Sequence, residues 1–192
     1  QHGGSGFLQP HEIKGLIAEM LVLERLLQDG ERDPHETVSG WVGPLGADQD
    51  FVYSDRAIEV KAVGPGADSI SVSSLEQLDC PVSMYLVLAT LRPATPGEPG
   101  AVALNSLAAK IEGMIAKSPE ALGTFKDRLL EARYVEHEYY ETILFDPMSV
   151  AAYTVTETFP KLVRDMVPSA IVSASYSIDI DSIAGFVSDL PK

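Results

Sequence analysis

The apolar positions of this chain recur first at helical spacing. Across residues 11–28, Ile13, Leu16, Ile17, Met20, Leu23 and Leu27 fall on one face, with Pro10 ahead and Gly30 behind as start and stop signals. Two acids accompany that stripe, Glu24 near its middle and Glu19 at its edge, with Lys14 and Arg25 at hand as ion-pair partners. Acids are rarely buried without a partner, so both are candidates for more than a solvated surface. Residues 29–45 then read as a loop rich in Gly, Pro, Asp and Ser, with Trp41 expected as a core or lid residue. Gly43, Pro44 and Gly46 mark a sharp approach to a strand; no Gly-Lys-Ser/Thr follows, so this is not a phosphate loop.

The period then changes to two. With Ser54-Asp55 as a two-residue turn, Tyr53 faces Arg56, Val52 faces Ala57, Phe51 faces Ile58 and Asp50 faces Glu59. Side chains alternate along a strand. Asp50, Glu59 and Lys61 therefore share one face, and Phe51, Tyr53, Ile58 and Val60 share an apolar one. Ser-Asp is not the Asn-Gly or Asp-Gly pair that marks tight hairpins. Opposed carboxylates repel, and a divalent cation with oxygen ligands offsets that repulsion; the adjacent lysine is placed to hold a water.

Further on, residues 70–72 read as a short strand. Ser73 or Ser74 is expected to cap a short helix through Leu78, and residues 84–90 form a continuous apolar run expected as a central strand buried on both faces. Residues 92–100 read as an exposed loop, 104–117 and 119–132 as amphipathic helices broken at Ser118-Pro119, and 139–145, 151–159 and 171–180 as strands. This order predicts a mixed α/β domain, not a regular βαβ series.

Composition narrows the picture. The chain has 192 residues, 45% hydrophobic and 22% charged, which fits one globular domain. Its net charge of −14 argues against a broad basic surface for nucleic acid, so a DNA substrate would need metal ions or a basic partner. Cys80 is the single cysteine, as expected in a reducing cytoplasm, and no apolar run is long enough for a membrane helix. His2, His11, His35 and His137 show no metal-ligand spacing. Residues 1–6 lack an initiating Met and read as a tag or linker, with the chain expected to be a piece of a longer protein.

The acid at Asp50 followed by Glu59-Val60-Lys61 resembles the PD-(D/E)XK nuclease superfamily, the restriction-endonuclease-like fold, and within it a bacterial group of proteins of unknown function. The resemblance rests on residues 18–27, Gly40-Trp41-Val42-Gly43-Pro44, Gln49-Asp50-Phe51, Ile58-Glu59-Val60-Lys61-Ala62 and Ser73-Ser74-Leu75-Glu76-Gln77-Leu78, and extends to Phe159-Pro160 and residues 176–180. Gln49 stands where the nominal motif has proline. The resemblance implies a restriction-endonuclease-like core over about 11–132, a mixed central β-sheet flanked by helices, and a C-terminal β section over about 133–192, all within one domain over 7–192.

It also implies roles. Asp50, Glu59 and the Val60 carbonyl would bind Mg²⁺ or Mn²⁺, with Glu19 as a further or outer ligand. Lys61 would orient and help deprotonate the attacking water, and Gln77 would sit by the scissile phosphate or brace the lysine. On helical geometry alone Glu24 rivals Glu19. The implied activity is metal-dependent DNA hydrolysis in bacterial restriction or phage defence, with protein partners of such a system and a homodimer as expected assemblies. Two other readings stand beside it: a catalytically idle scaffold of the same fold, and a protein-interaction module.

Overall fold

A computed structural model describes residues 6–191. Of the residues read as a tag or linker, 1–5 lie outside the described residues, and so does His2.

The long first helix, α1 (Pro10–Asp29), forms as its stripe predicts. Pro10 opens it, the Glu12 carboxylate accepts the Gln9 backbone N–H at 2.8 Å, and Gly30 closes it in a left-handed conformation. Ile13, Ile17, Met20 and Leu23 are fully buried. A second, short helix, α2 (Pro34–Ser39), stands where a loop was expected. Asp33 caps it by accepting from the His35 and Glu36 N–H groups, and six residues are too few to display a helical period.

The main sheet has the order β1 (Phe51–Val52), β2 (Arg56–Val63), β4 (Ser83–Ala94), β5 (Leu144–Thr154) and β7 (Val187–Ser188). It is mixed: β2 runs parallel to β4, and the other neighbours are antiparallel. β4 is the central strand that its apolar run predicts, with Leu86, Val87, Ala89 and Leu91 buried. One sheet face carries α1 with α3 (Leu104–Ile115) and α4 (Pro119–Glu131), close to the expected helices. The opposite face is covered by a two-stranded ribbon of β3 (Ser69–Val72) and β6 (Tyr176–Asp179), whose Ile70, Val72 and Ile178 pack on Leu86 and Leu88.

Several expectations are corrected. Residues 73–78 form no helix but bends that end in a turn, closed by the Asp79 N–H on the Glu76 carbonyl. β4 continues to Ala94, into the expected loop; β2 accompanies it only as far as Thr90, so beyond that point β4 is a sheet edge, where Pro93 breaks no ladder. The strand expected over 139–145 begins as a 3-10 turn (Glu138–Glu141), and β5 starts only at Leu144. β5 ends at Thr154, short of the expected Phe159, and the strand expected over 171–180 is confined to β6.

Candidate metal centre

The hairpin of β1 and β2 has the predicted register. Phe51 pairs with Ile58 and Val52 with Ala57, while the Tyr53 N–H bonds the Arg56 carbonyl across Ser54-Asp55 at 2.8 Å. Neither turn residue has a positive φ, so this is not one of the mirror-image turns usual in tight hairpins. Side chains hold it instead. Asp55 is paired with Arg32 at 2.6 Å and with Arg56 at 2.6 Å, and the Arg32 guanidinium lies 4.4 Å from the Tyr53 ring centre. Phe51, Tyr53, Ile58 and Val60 enter the helix-side core, and Ala57 the ribbon-side core, so alternation sends Glu59 and Lys61 toward the ribbon.

Asp50 lies one residue before β1. Its carbonyl accepts the Val42 and Gly43 N–H groups at 2.8 and 2.9 Å, and its carboxylate accepts the Val60 N–H at 2.7 Å. Glu59 is only 3% exposed and is ion-paired to Lys61 at 2.9 Å. Lys61 also donates to the Gln77 side-chain oxygen at 2.9 Å, which accepts the Ser73 N–H at the same distance. Glu19 reaches in from α1. The indole N–H of the fully buried Trp41 donates to its carboxylate at 2.7 Å, and Trp41 is itself held by Arg128 of α4, which donates to its carbonyl at 2.7 Å.

Gly43 shows how tightly the acids converge. A Cβ built there would lie 2.7 Å from Asp50 Oδ1 and 2.9 Å from Glu19 Oε2. Both oxygens thus flank the same spot above the Gly43 backbone, and a side chain there would have to displace them. Glu24 lies elsewhere. It is buried beside Gln28, which donates to it at 3.0 Å, and is ion-paired to Lys110 of α3. Glu19 joins the acids of the hairpin and Glu24 does not. Replacing Glu24 with Gln is therefore expected to lower stability while leaving Mn²⁺ affinity unchanged, and Glu19→Gln to weaken Mn²⁺ binding about tenfold or more, both read by calorimetry; ligation geometry of this kind changes affinity by about 10–100-fold.

Three carboxyl groups packed with one ammonium titrate abnormally. Burial, then the Asp50 charge, pushes Glu19 up to about 8, against the pull of the Trp41 N–H. Burial and then Asp50 also push Glu59 up to about 8, against Lys61. Asp50 itself rises through burial to about 6, held back by the Val60 N–H and Lys61. Among the described residues, no three His, Cys, Asp or Glu side chains are gathered closely enough to hold a metal ion as they lie. Each carboxylate instead leans on a neighbour: Glu19 on Trp41, Asp50 on Val60, Glu59 on Lys61. The donor set nevertheless suits a hard divalent cation, being all oxygen and, once ionised, carrying more negative charge than one lysine balances.

Sequence reasoning missed the role of Gln49. Its buried side-chain amide donates to the carbonyls of Glu76, Gln77 and Asp79 at 2.8, 3.4 and 3.4 Å. It fixes the bend that presents Gln77 to Lys61, and satisfies the Glu76 and Gln77 carbonyls without a helix. Gln49→Leu is expected to lower the melting temperature by leaving those carbonyls unpaired, a loss of about 1–3 kcal/mol by denaturant titration.

A family model described as "Putative PD-(D/E)XK family member, (DUF4420)" matches residues 1–181. The chain belongs to that family, and its mixed five-stranded sheet is consistent with the restriction-endonuclease-like fold. Among curated proteins and among solved structures, nothing matches it. No helix among the described residues is long and apolar enough to cross a membrane.

Proposed function

We propose that the protein is a metal-dependent nuclease that hydrolyses phosphodiester bonds in DNA, with bacterial restriction or phage defence as its setting. The observation that carries this reading is the convergence of Glu19, Asp50 and Glu59 at the end of the hairpin, beside a lysine held at both Glu59 and Gln77. Asp50, Glu59, Glu19 and the Val60 carbonyl would hold Mg²⁺ or Mn²⁺. Such an ion supplies Lewis-acid stabilisation of phosphoryl oxygens and a nucleophile usable near neutral pH.

The chain's own residues do the rest. Lys61, pinned by Gln77, holds the attacking water by hydrogen bond and takes part in moving its proton. Trp41 fixes the Glu19 carboxylate, and the Val60 N–H fixes that of Asp50, so the acids are oriented before any ion arrives. Pre-set donors and acceptors lower the reorganisation needed during reaction.

The net charge of −14 favours a second reading, an idle scaffold that meets a basic partner. Calorimetric titration with Mn²⁺ separates the two without a substrate. Binding that is lost in Glu59→Ala supports the metal site. Absence of Mn²⁺ binding in the wild-type protein would move the assignment to the scaffold.

A further inference from the structure

An open cleft of about 340 Å³ runs along α1 from Glu19, past Leu16 and Gly15, to Glu12, with Glu131 and Arg133 at the end of α4 on its other wall and Gly43 on the metal-centre side. Its two walls carry locally unfavourable residues of opposite kinds. Arg133 follows the end of α4 in a left-handed conformation (φ 60°). The Tyr134 N–H bonds the Leu129 carbonyl at 2.9 Å and the Arg133 N–H bonds that of Leu130 at 2.8 Å. This is the helix-ending motif whose left-handed position glycine normally fills. Among the described residues every other positive-φ position is glycine. Gly15, facing it, lies in the interior of α1, where glycine is less stable than alanine. A Cβ there would meet nothing within 4 Å, so packing does not require its absence.

A side chain thus sits where glycine is favoured, and glycine sits where a side chain is favoured, on either side of one cleft. Backbone strain retained at a cleft points toward function. Gly113 and Gly123 are equally open but line no part of this cleft, so openness alone does not mark Gly15 out. Arg133 is 70% exposed. One of its terminal nitrogens is ion-paired to Glu12, whose other oxygen is held by the Gln9 N–H, so the guanidinium is tethered at one corner and presents its other N–H groups outward.

We propose that this cleft is a phosphate subsite, taking a backbone phosphate of a nucleic-acid strand beside the bond cut at the metal centre, with Arg133 as anchor and bare Gly15 as the room for the strand. The planar fork of arginine matches phosphate oxygens in pairs. Among the described residues lining the cleft Arg133 is the one cation, set against the carboxyls of Glu12, Glu19 and Glu131, so the grip on a phosphate falls to it alone. The inference rests on the nuclease reading and names where its substrate's backbone is held.

The test measures two quantities on Arg133→Gly and Gly15→Ala: thermal melting, and equilibrium binding of labelled DNA and of RNA of the same sequence, in Ca²⁺ and across a salt series. Arg133→Gly relieves the left-handed strain and Gly15→Ala gains helix propensity, so neither melting temperature falls. Affinity is expected to drop several-fold in both, and the salt slope of Arg133→Gly to diminish by about one. Gly113→Ala, the control, leaves affinity unchanged. Whichever nucleic acid shows the drop is the one held. Variants that bind as tightly as wild type, with an unchanged salt slope, overturn the subsite and leave the nuclease reading intact. Loss of stability and affinity together gives Arg133 a structural role and also overturns it. Wild-type protein that binds neither nucleic acid removes the nuclease reading and the subsite with it.

Discussion

Asp50→Ala and Lys61→Ala are each expected to abolish Mn²⁺-dependent cleavage of DNA, for different reasons. Asp50 acts on both other acids: its carboxylate flanks the Gly43 backbone with that of Glu19, and its charge raises the titration points of Glu19 and Glu59. On the proposed reading its loss removes a ligand and with it the ion, so Mn²⁺ affinity and cleavage are expected to fall together. Lys61 touches Glu59 and Gln77, and its loss leaves all three acids in place. Mn²⁺ binding then persists, while the rate falls by about 10²–10⁴-fold, the usual contribution of a positioned proton-transfer group. Equal residual cleavage in wild type and both variants would mark a contaminating nuclease and sink the claim. A wild type that binds Mn²⁺ but cleaves no DNA would overturn DNA cleavage and leave the metal site standing.

The hairpin was legible in the sequence because a period of two leaves few choices. Once Ser54-Asp55 is taken as the turn, Phe51 and Ile58 must pair and the acids must share a face. Its closure was not legible, because it depends on Arg32 reaching Asp55 from a distant loop. α1 could be read from its stripe, but not the choice between Glu19 and Glu24. Both sit at helical spacing, and what separates them is the partners that tertiary packing brings, Trp41 for one and Lys110 for the other. Residues 73–78 misled for a similar reason. Serine caps favour a helix locally, yet the Glu76 and Gln77 carbonyls are taken by Gln49, and the Gln77 side chain by Lys61. Arg133 and Gly15 carry no sequence signal at all, since their meaning lies in a φ angle and an empty space.

The metal-free protein is expected to lose stability as pH rises from about 5.5 to 8.5, and saturating Mn²⁺ to reverse the trend. Glu19 and Glu59 titrate near 8 in the fold against 4.5 for an ordinary glutamate, and Asp50 near 6 against 3.8. A carboxyl whose folded pKa is raised binds its proton more tightly folded than unfolded. Its contribution is fully present below the unfolded value and disappears as pH passes through the folded one. A tenfold difference in proton affinity between the folded and unfolded chain is worth about 1.4 kcal/mol, so the coupled trio gives a change on the order of a few kcal/mol across that window. Glu12, Asp55, Glu98 and Asp179 titrate low through their hydrogen bonds and ion pairs, so they are already ionised there and do not mask the effect. A bound cation replaces the protons, so its affinity climbs with pH, and at a hundredfold excess over Kd it adds about 2.7 kcal/mol. Melting curves of wild type, Glu19→Gln and Glu59→Gln, with and without Mn²⁺, decide the matter. The glutamine variants should flatten the metal-free profile and melt higher than wild type at pH 8.5, because an uncharged amide there relieves the crowding of buried charge. A metal-free wild-type profile that is flat or rises toward pH 8.5 would show that these acids do not strain the fold, and with that the case for a cation to relieve them would be lost.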